Sequence, residues 1–476
     1  MHMTCTRQHA LALTVVLSLG VGCGSSGGSG KASSGAQGGG SSQLPGGSGG
    51  AEPGSGGSGA VASGGAAVSS TGGTLGSGGA PGSGGAVPEP GTGGHGPAVG
   101  SGGSPPGGGA GGAGATSSAS GGAAPPPMPG VCPTAAEGPT PDAATRAKCT
   151  SDATGISCHF GGAPGNYDVS FYLGGAAAGK TEVQAEHLRE MLASVDTTAG
   201  QKVRYSMSIN VRTPEGQPDW MGASNGIDGL DVYFKGTSPV VDSIAYAPAA
   251  ASDVVMYIIT DSTGCDQEGP DLAGWGQWLP QFFGSGISVA NYGNSGALSE
   301  CSPATTPCRT DAPYYSFYDN PKMWPVVKPL LKPGDVVLIE FAHNDKNTPQ
   351  AAYEANINTY IKETKAAGAI PLLATPIPRN NWTNATTMSP TQLINDPGVN
   401  LPATIRNIGM TNNIPVIDLT AKCLAAFSAK GESAVGAYYS GGNTHLSPAG
   451  ANVVAGIARD EIKRLNIYPL SCFLRP

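Results

Sequence analysis

Four residues of this chain have the types and the order that acyl transfer requires: Ser262, Gly296, Asn344 and His445. A serine hydroxyl attacks a carbonyl carbon, a histidine takes the proton it sheds, and hydrogen-bond donors stabilise the oxyanion that forms. On this reading Ser262 is the nucleophile and His445 the general base. The backbone N–H groups of Ser262 and Gly296 and the side-chain amide of Asn344 are the oxyanion donors. Taken singly, each residue has an ordinary structural role: a serine after an aspartate forms turns, an asparagine stabilises loops, a histidine packs. What sets them apart is where they stand relative to the elements of the chain.

Continuous apolar runs at 254–259, 287–290, 336–341, 370–374 and 414–417 predict strands buried on both faces, with helical stretches between them. Tyr353, Ile357, Tyr360 and Ile361 predict a helix over 352–367, stopped by Gly368. A last helix starts where Ser447 caps and Pro448 enters the first turn, and its apolar spacing runs to about Leu465. Residues 250–476 are therefore expected to form a doubly wound parallel α/β sheet, three-layered and flavodoxin-like. In such a sheet the carboxyl ends of the strands form the ligand crevice. Segments 260–263, 291–296 and 342–345 each follow a strand directly, which brings Ser262, Gly296 and Asn344 to one rim. His445 reaches the same rim from the loop ahead of the last helix.

The order Asp261-Ser262-Thr263, then Gly274-Trp275-Gly276-Gln277, then 291–296, then Phe341-Ala342-His343-Asn344-Asp345, and finally Asn443-Thr444-His445 with Pro448, Ala449 and Gly450 resembles the SGNH (GDSL) hydrolase superfamily. Within it the pattern is most similar to the rhamnogalacturonan acetylesterase-like branch. The resemblance spans about 251 to 470 and includes 332–335 and 375–379. It implies a serine carboxylic ester hydrolase that uses no cofactor, takes an acetylated polysaccharide or oligosaccharide, and employs Ser262, Gly296, Asn344 and His445 in the roles given above. Three positions depart from the pattern. Thr260 and Ala342 stand where glycine is usual, and Gly442 stands where an aspartate precedes the catalytic histidine by three. Neither Ala297 nor Glu300 supplies the arginine often found after the second block. At Gly442 the expectation is a backbone carbonyl that accepts the imidazole N–H, because Gly441 and Gly442 let the chain approach the ring closely; the alternatives are an acid that reaches in from another loop, or a weak enzyme. The rival reading is a surface carbohydrate-binding or accessory protein whose hydrolase site has decayed.

The first half of the chain is different. Of 476 residues 76 are glycine, and the stretch 24–130 is rich in Gly, Ser, Ala and Pro, has no Phe, Trp, Tyr or Asp, and has only Lys31, Glu52 and Glu89 as charges. Such a composition cannot repay the ordering entropy of a core, so a disordered tether with a mean reach of about 55–60 Å is expected. Ahead of it, Arg7, the apolar run 10–19 and Gly20-Val21-Gly22-Cys23 predict residues 1–23 to be an export signal of lipoprotein type. That implies an extracellular or outer-surface location and a membrane tether through a lipidated Cys23. Eight further cysteines in an exported chain predict disulfides, with Cys301 and Cys308 placed to close a small loop. No cysteine or histidine spacing points to metal.

Between Cys132 and Pro248, period-two alternation at 166–173, 203–212 and 230–234 predicts a β-sandwich over 131–249. Segment 181–192 fits a helix or a strand equally well. Segments 210–218 and 229–231 resemble the small sandwich that precedes some rhamnogalacturonan acetylesterase-like domains, and Tyr167, Tyr172 and Trp220 are candidates for stacking on sugars. A formal net charge of −8 argues against nucleic acid and anionic membrane surfaces, and leads to the expectation of an acidic rim suited to a neutral ester.

Overall fold

Five parallel strands carry the second half of the chain: β9 (Val254–Thr260), β10 (Ile287–Asn291), β11 (Val336–Glu340), β12 (Ile370–Ala374) and β13 (Val416–Ile417). Their order across the sheet is β10-β9-β11-β12-β13, with every neighbouring pair parallel. This is the 2-1-3-4-5 order of flavodoxin-like doubly wound folds. The continuous apolar runs follow from burial on two faces. Along β9, Val254, Met256 and Ile258 enter one core, and Val255, Tyr257 and Ile259 enter the other. The second core is shared with helices α1 (Gln350–Ala366) and α2 (Leu401–Asn412), and the first with α3 (Leu419–Lys430) and α4 (Pro448–Arg464). Helix α4 begins as expected, with Ser447 Oγ accepting from Gly450 N at 3.2 Å and proline in its first turn.

The computed structural model describes residues 130–134, 137–219, 226–300, 315–390 and 400–476. The expected leader, Cys23 and nearly all of the tether lie outside the described residues, as do Trp220, Cys301 and Cys308. Ahead of β9 lie eight strands: β1 (Thr150–Asp152), β2 (Gly155–His159), β3 (Gly165–Gly174), β4 (Gly179–Ala185), β5 (Arg189–Thr197), β6 (Lys202–Val211), β7 (Asp231–Ser238) and β8 (Val241–Pro248). They form two antiparallel sheets, β1-β2-β7-β4-β5 and β6-β3-β8. The sheets share one core, in which Phe171 of β3 meets Phe234 of β7 edge to face at 5.1 Å. Segment 181–192 is neither a helix nor a single strand. It is a hairpin, because the chain turns at Glu186 and Leu188 in left-handed conformations (φ 51° and 58°), an event that no glycine advertises. Tyr167 packs against the shared core, and its hydroxyl donates to the Ala163 carbonyl at 2.8 Å.

The described residues form one compact unit, and the antiparallel sheets meet the parallel one through buried polar contacts. Asp266, just past the nucleophile, is fully buried and accepts from Arg189 Nε of β5 at 2.8 Å and from Arg212 Nη2, just past the end of β6, at 3.3 Å. Asn166 Oδ1 accepts from Ser288 Oγ of β10 at 2.7 Å. Disulfides join Cys132 to Cys472 and Cys149 to Cys158. The default of bridged cysteines fails at Cys265 and Cys423, which are buried free thiols. Cys423 packs in the first core, and Cys265 Sγ lies 3.7 Å from Ser295 Oγ.

Candidate active site

The turn after β9 is organised by the Asp261 carboxylate. Its Oδ1 accepts from Thr263 N and Thr263 Oγ1, each at 2.9 Å, and its Oδ2 accepts from His343 N at 3.1 Å and Ala342 N at 3.4 Å. One buried carboxylate thereby fixes the nucleophile turn and joins it to the loop that follows β11. Ser262, between these anchors, is 6% exposed, and its Oγ lies 3.0 Å from His445 Nε2.

His445 is delivered by a short antiparallel turn. Ser440 N donates to His445 O at 2.9 Å, Leu446 bridges to Tyr439 and Ala273, and Tyr439 Oη donates to Pro378 O at 2.7 Å. Burial pushes the imidazole pKa down, the Arg379 guanidinium adds to this, and Asp261 opposes it. The ring is therefore neutral at pH 7, as a general base must be. Gly442 sits exposed in the turn. Among the described residues neither a carboxylate nor a carbonyl takes up Nδ1 of His445, so the expected backbone acceptor is not there. The glycines give the turn its shape, with Gly441 at φ +61°, without bringing a carbonyl to the ring.

Gly296 adopts φ +75°, a left-handed conformation that a side chain would strain. Asn344 Nδ2 donates to Ala297 O at 2.9 Å, which ties the amide to the residue after Gly296 and leaves its second N–H available. Ser262, Asn344 and His445 line one cleft of ≈ 330 Å³ together with His343, Lys346, Arg379 and the 440–444 turn. Gly296 is not among the residues that line this cleft; its tie to the group is through its neighbour Ala297, whose carbonyl accepts from Asn344. The expected acidic rim is corrected here: the described lining carries Lys346 and Arg379 and no carboxylate. Net charge is a property of the whole chain, and its sign need not be that of one cleft.

Two departures from the family pattern have physical explanations. Thr260 Oγ1 donates to Glu340 Oε2, to which Thr263 Oγ1 adds a contact at 3.4 Å. Glu340 is fully buried at the end of β11, and burial followed by the proximity of Asp261 pushes its pKa well up. Thr260 thus supplies the buried Glu340 carboxyl with a hydroxyl partner that a glycine could not. Ala342 is buried in the second core, and its N–H meets Asp261. His343, also buried, is pushed down to about 4, by burial foremost and by Arg379, whose Nε lies 3.3 Å from His343 Nδ1. Asp345 is raised to about 7 by burial while it accepts from Ser299 Oγ at 2.6 Å and Ser299 N at 3.0 Å. Sequence reasoning missed the glutamines beneath the site. Gln267 Nε2 donates to Ser262 O at 2.5 Å and Gln217 Oε1 accepts from Ser295 N at 2.6 Å. Gln267 lies only five positions past Ser262, whereas Gln217 and Ser295 are 78 positions apart and no signal in the chain pairs them.

Residues 259–453 match the model of the GDSL-like lipase/acylhydrolase family. The chain is 27% identical over 226 residues to a probable rhamnogalacturonan acetylesterase, YesY, of Bacillus subtilis, covering 44% of this chain and 94% of that protein. It is 24% identical over 234 residues to the rhamnogalacturonan acetylesterase RhgT of the same organism, covering 45% of this chain and 91% of that protein. The crystal structure of the YxiM protein of Bacillus subtilis aligns over 66% of this chain and 81% of its own, at 21% identity and a TM-score of 0.39. Residues 259–453 are a domain of the GDSL-like lipase/acylhydrolase family, and the chain that carries them is an ester hydrolase.

Proposed function

We propose that this chain is an exported serine esterase that removes acetyl groups from a polysaccharide of the rhamnogalacturonan or pectin type. The observation that carries the reading is the 3.0 Å contact between Ser262 Oγ and His445 Nε2 at the bottom of the cleft. In the first half-reaction Ser262 Oγ bonds to the acetyl carbonyl carbon and its proton passes to His445 Nε2. The carbonyl oxygen becomes an oxyanion facing the N–H groups of Ser262 and Gly296 and the amide of Asn344. Collapse breaks the bond to the sugar oxygen, which takes the proton from His445 and leaves an acetyl-serine. Water, deprotonated by the same imidazole, then releases acetate.

Acetylated carbohydrate as substrate is supported by the names of YesY and RhgT. Export and lipid attachment at Cys23 belong to the same proposal and rest on the 10–19 apolar run and the residues that follow it. The test is acetate release from acetylated pectin, acetylated xylan and a chromogenic acetate ester by the wild type and Ser262→Ala. Loss of turnover in the variant and preference for pectin support the reading. Equal, near-blank rates in both forms overturn the assignment of Ser262 and leave the cleft a binding surface. For the anchor, wild-type protein in the membrane fraction and Cys23→Ala outside it is the expected contrast.

A further inference from the structure

Segment 212–219, which leaves the antiparallel sheets after β6, ends beneath the parallel sheet's catalytic rim. Gln217 on this segment is fully buried. Its Oε1 accepts from the backbone N–H of Ser295 at 2.6 Å, and its Nε2 donates to Gln267 Oε1 at 3.4 Å. Gln267 in turn donates to the Ser262 carbonyl at 2.5 Å. One amide side chain therefore touches the turn that leads into Gly296 and, through a second amide, the peptide of the nucleophile.

Two residues further on, the backbone N–H of Asp219 donates to Asn294 Oδ1 at 2.9 Å, and Asn294 Nδ2 donates to the Ser295 carbonyl at 2.9 Å. The second bond matters for direction. A peptide unit is planar, so the Ser295 carbonyl and the Gly296 N–H point opposite ways in one plane. Whatever holds that carbonyl aims that N–H. Segment 212–219 is itself clamped from outside, since the Asp219 carboxylate accepts from Asn320 Nδ2 at 2.8 Å and pairs with Lys322.

We infer that Gln217 is a positioning residue of the esterase site: with the Asp219–Asn294 bond it fixes the peptides on both sides of Ser295 so that the Gly296 N–H points at the developing oxyanion. The segment that follows β6 then supports the reaction centre. The inference rests on the proposed roles of Ser262 and Gly296. A donor displaced by a fraction of an ångström loses effect only where charge develops, so the cost falls on turnover and spares ground-state binding.

Gln217→Met keeps the volume and removes the hydrogen bonds to Ser295 and Gln267. Relative to wild type, kcat toward a chromogenic acetate ester is expected to fall roughly 10- to 100-fold with KM nearly flat. The inhibition constant of phenylboronic acid, which forms a tetrahedral adduct on serine, should weaken by a similar factor. Amide exchange at Ser295, followed by mass spectrometry of peptides over 291–296, should speed up. Asn294→Asp, which keeps the acceptor for Asp219 and removes the donor to Ser295, is the second variant and should show the same split between kcat and KM. A loss of melting temperature with unchanged kcat and boronate affinity in the folded fraction reduces Gln217 to a packing residue and overturns the inference. So does unchanged exchange at Ser295, whatever the activity. A wild type that is inactive toward every ester, with Ser295 still protected by Gln217, overturns the functional reading instead.

Discussion

Placing an aspartate at Gly442 tests the electrostatics of the base directly. A Cβ added there meets nothing within 4 Å, and φ is outside the left-handed region, so Gly442→Asp carries no steric or backbone penalty. His445 has no acceptor at Nδ1 among the described residues, and burial already disfavours the imidazolium that forms as Ser262 gives up its proton. A carboxylate about 4 Å from the ring stabilises that cation by about 1 kcal/mol if the turn behaves as bulk water and about 4 kcal/mol at a protein-like dielectric. Gly442 is exposed, so the lower half of that range applies, and each 1.4 kcal/mol is tenfold in rate. We expect kcat/KM toward a chromogenic acetate ester to rise about tenfold. The same interaction favours protonated His445, so the acid limb of the pH profile of kcat/KM should move up by about one unit. Gly442→Asn, which orients the ring without a charge, should raise the rate less and leave the acid limb in place. A folded Gly442→Asp with unchanged rate and acid limb would falsify the reasoning, because it means that Nδ1 is already served.

The remaining predictions concern the oxyanion pocket, the buried ion pairs and acid stability. Removing one oxyanion donor costs about 10²–10³ in turnover, so Asn344→Ala should lower kcat by that factor with little change in KM; a rise in KM alone would make Asn344 a ground-state binding residue. Asp266→Asn leaves the Arg189 and Arg212 guanidinium groups buried without their partner charge and should cost about 3–5 kcal/mol in urea unfolding, whereas a loss under 1 kcal/mol would show that the pair relaxes toward water. His343 stays neutral in the fold down to about 4 while the unfolded residue protonates near 6.5, so acidification through that window favours the unfolded state by up to about 3 kcal/mol. Asp345, raised to about 7, works in the opposite sense, so the useful quantity is the difference between wild type and His343→Gln from pH 7 to pH 4. The variant should lose less stability over that range, and identical pH slopes would refute the assignment.

How far the sequence foretold this molecule depends on the range of the interaction. The five parallel strands were legible because each is buried on two faces and shows as an unbroken apolar run, and the cap at Ser447 because capping is settled within four residues. Ser262 and His445 were legible as a pair from their places at strand end and helix start. The hairpin at 186–188 was hidden because its left-handed turn uses Glu186 and Leu188, residues that carry no turn signal. The pairing of Cys132 with Cys472 and the reach of Gln217 to Ser295 were hidden for another reason: both depend on how two sheets dock, which leaves no periodicity in either partner. The basic lining of the cleft was lost in an acidic average.

The bridge between Cys132 and Cys472 spans 340 positions and turns almost the whole described chain into a single covalent ring. A protease that cuts once anywhere between them opens that ring but releases nothing, since both new ends remain attached through the disulfide. Scission then becomes reversible damage in the mechanical sense: the fragments stay at high effective concentration and re-dock, and only a second cut lets material diffuse away. Under proteolysis the survival of activity would scale with the chance of two cuts instead of one. Reduction of the bridge would return it to ordinary single-hit loss.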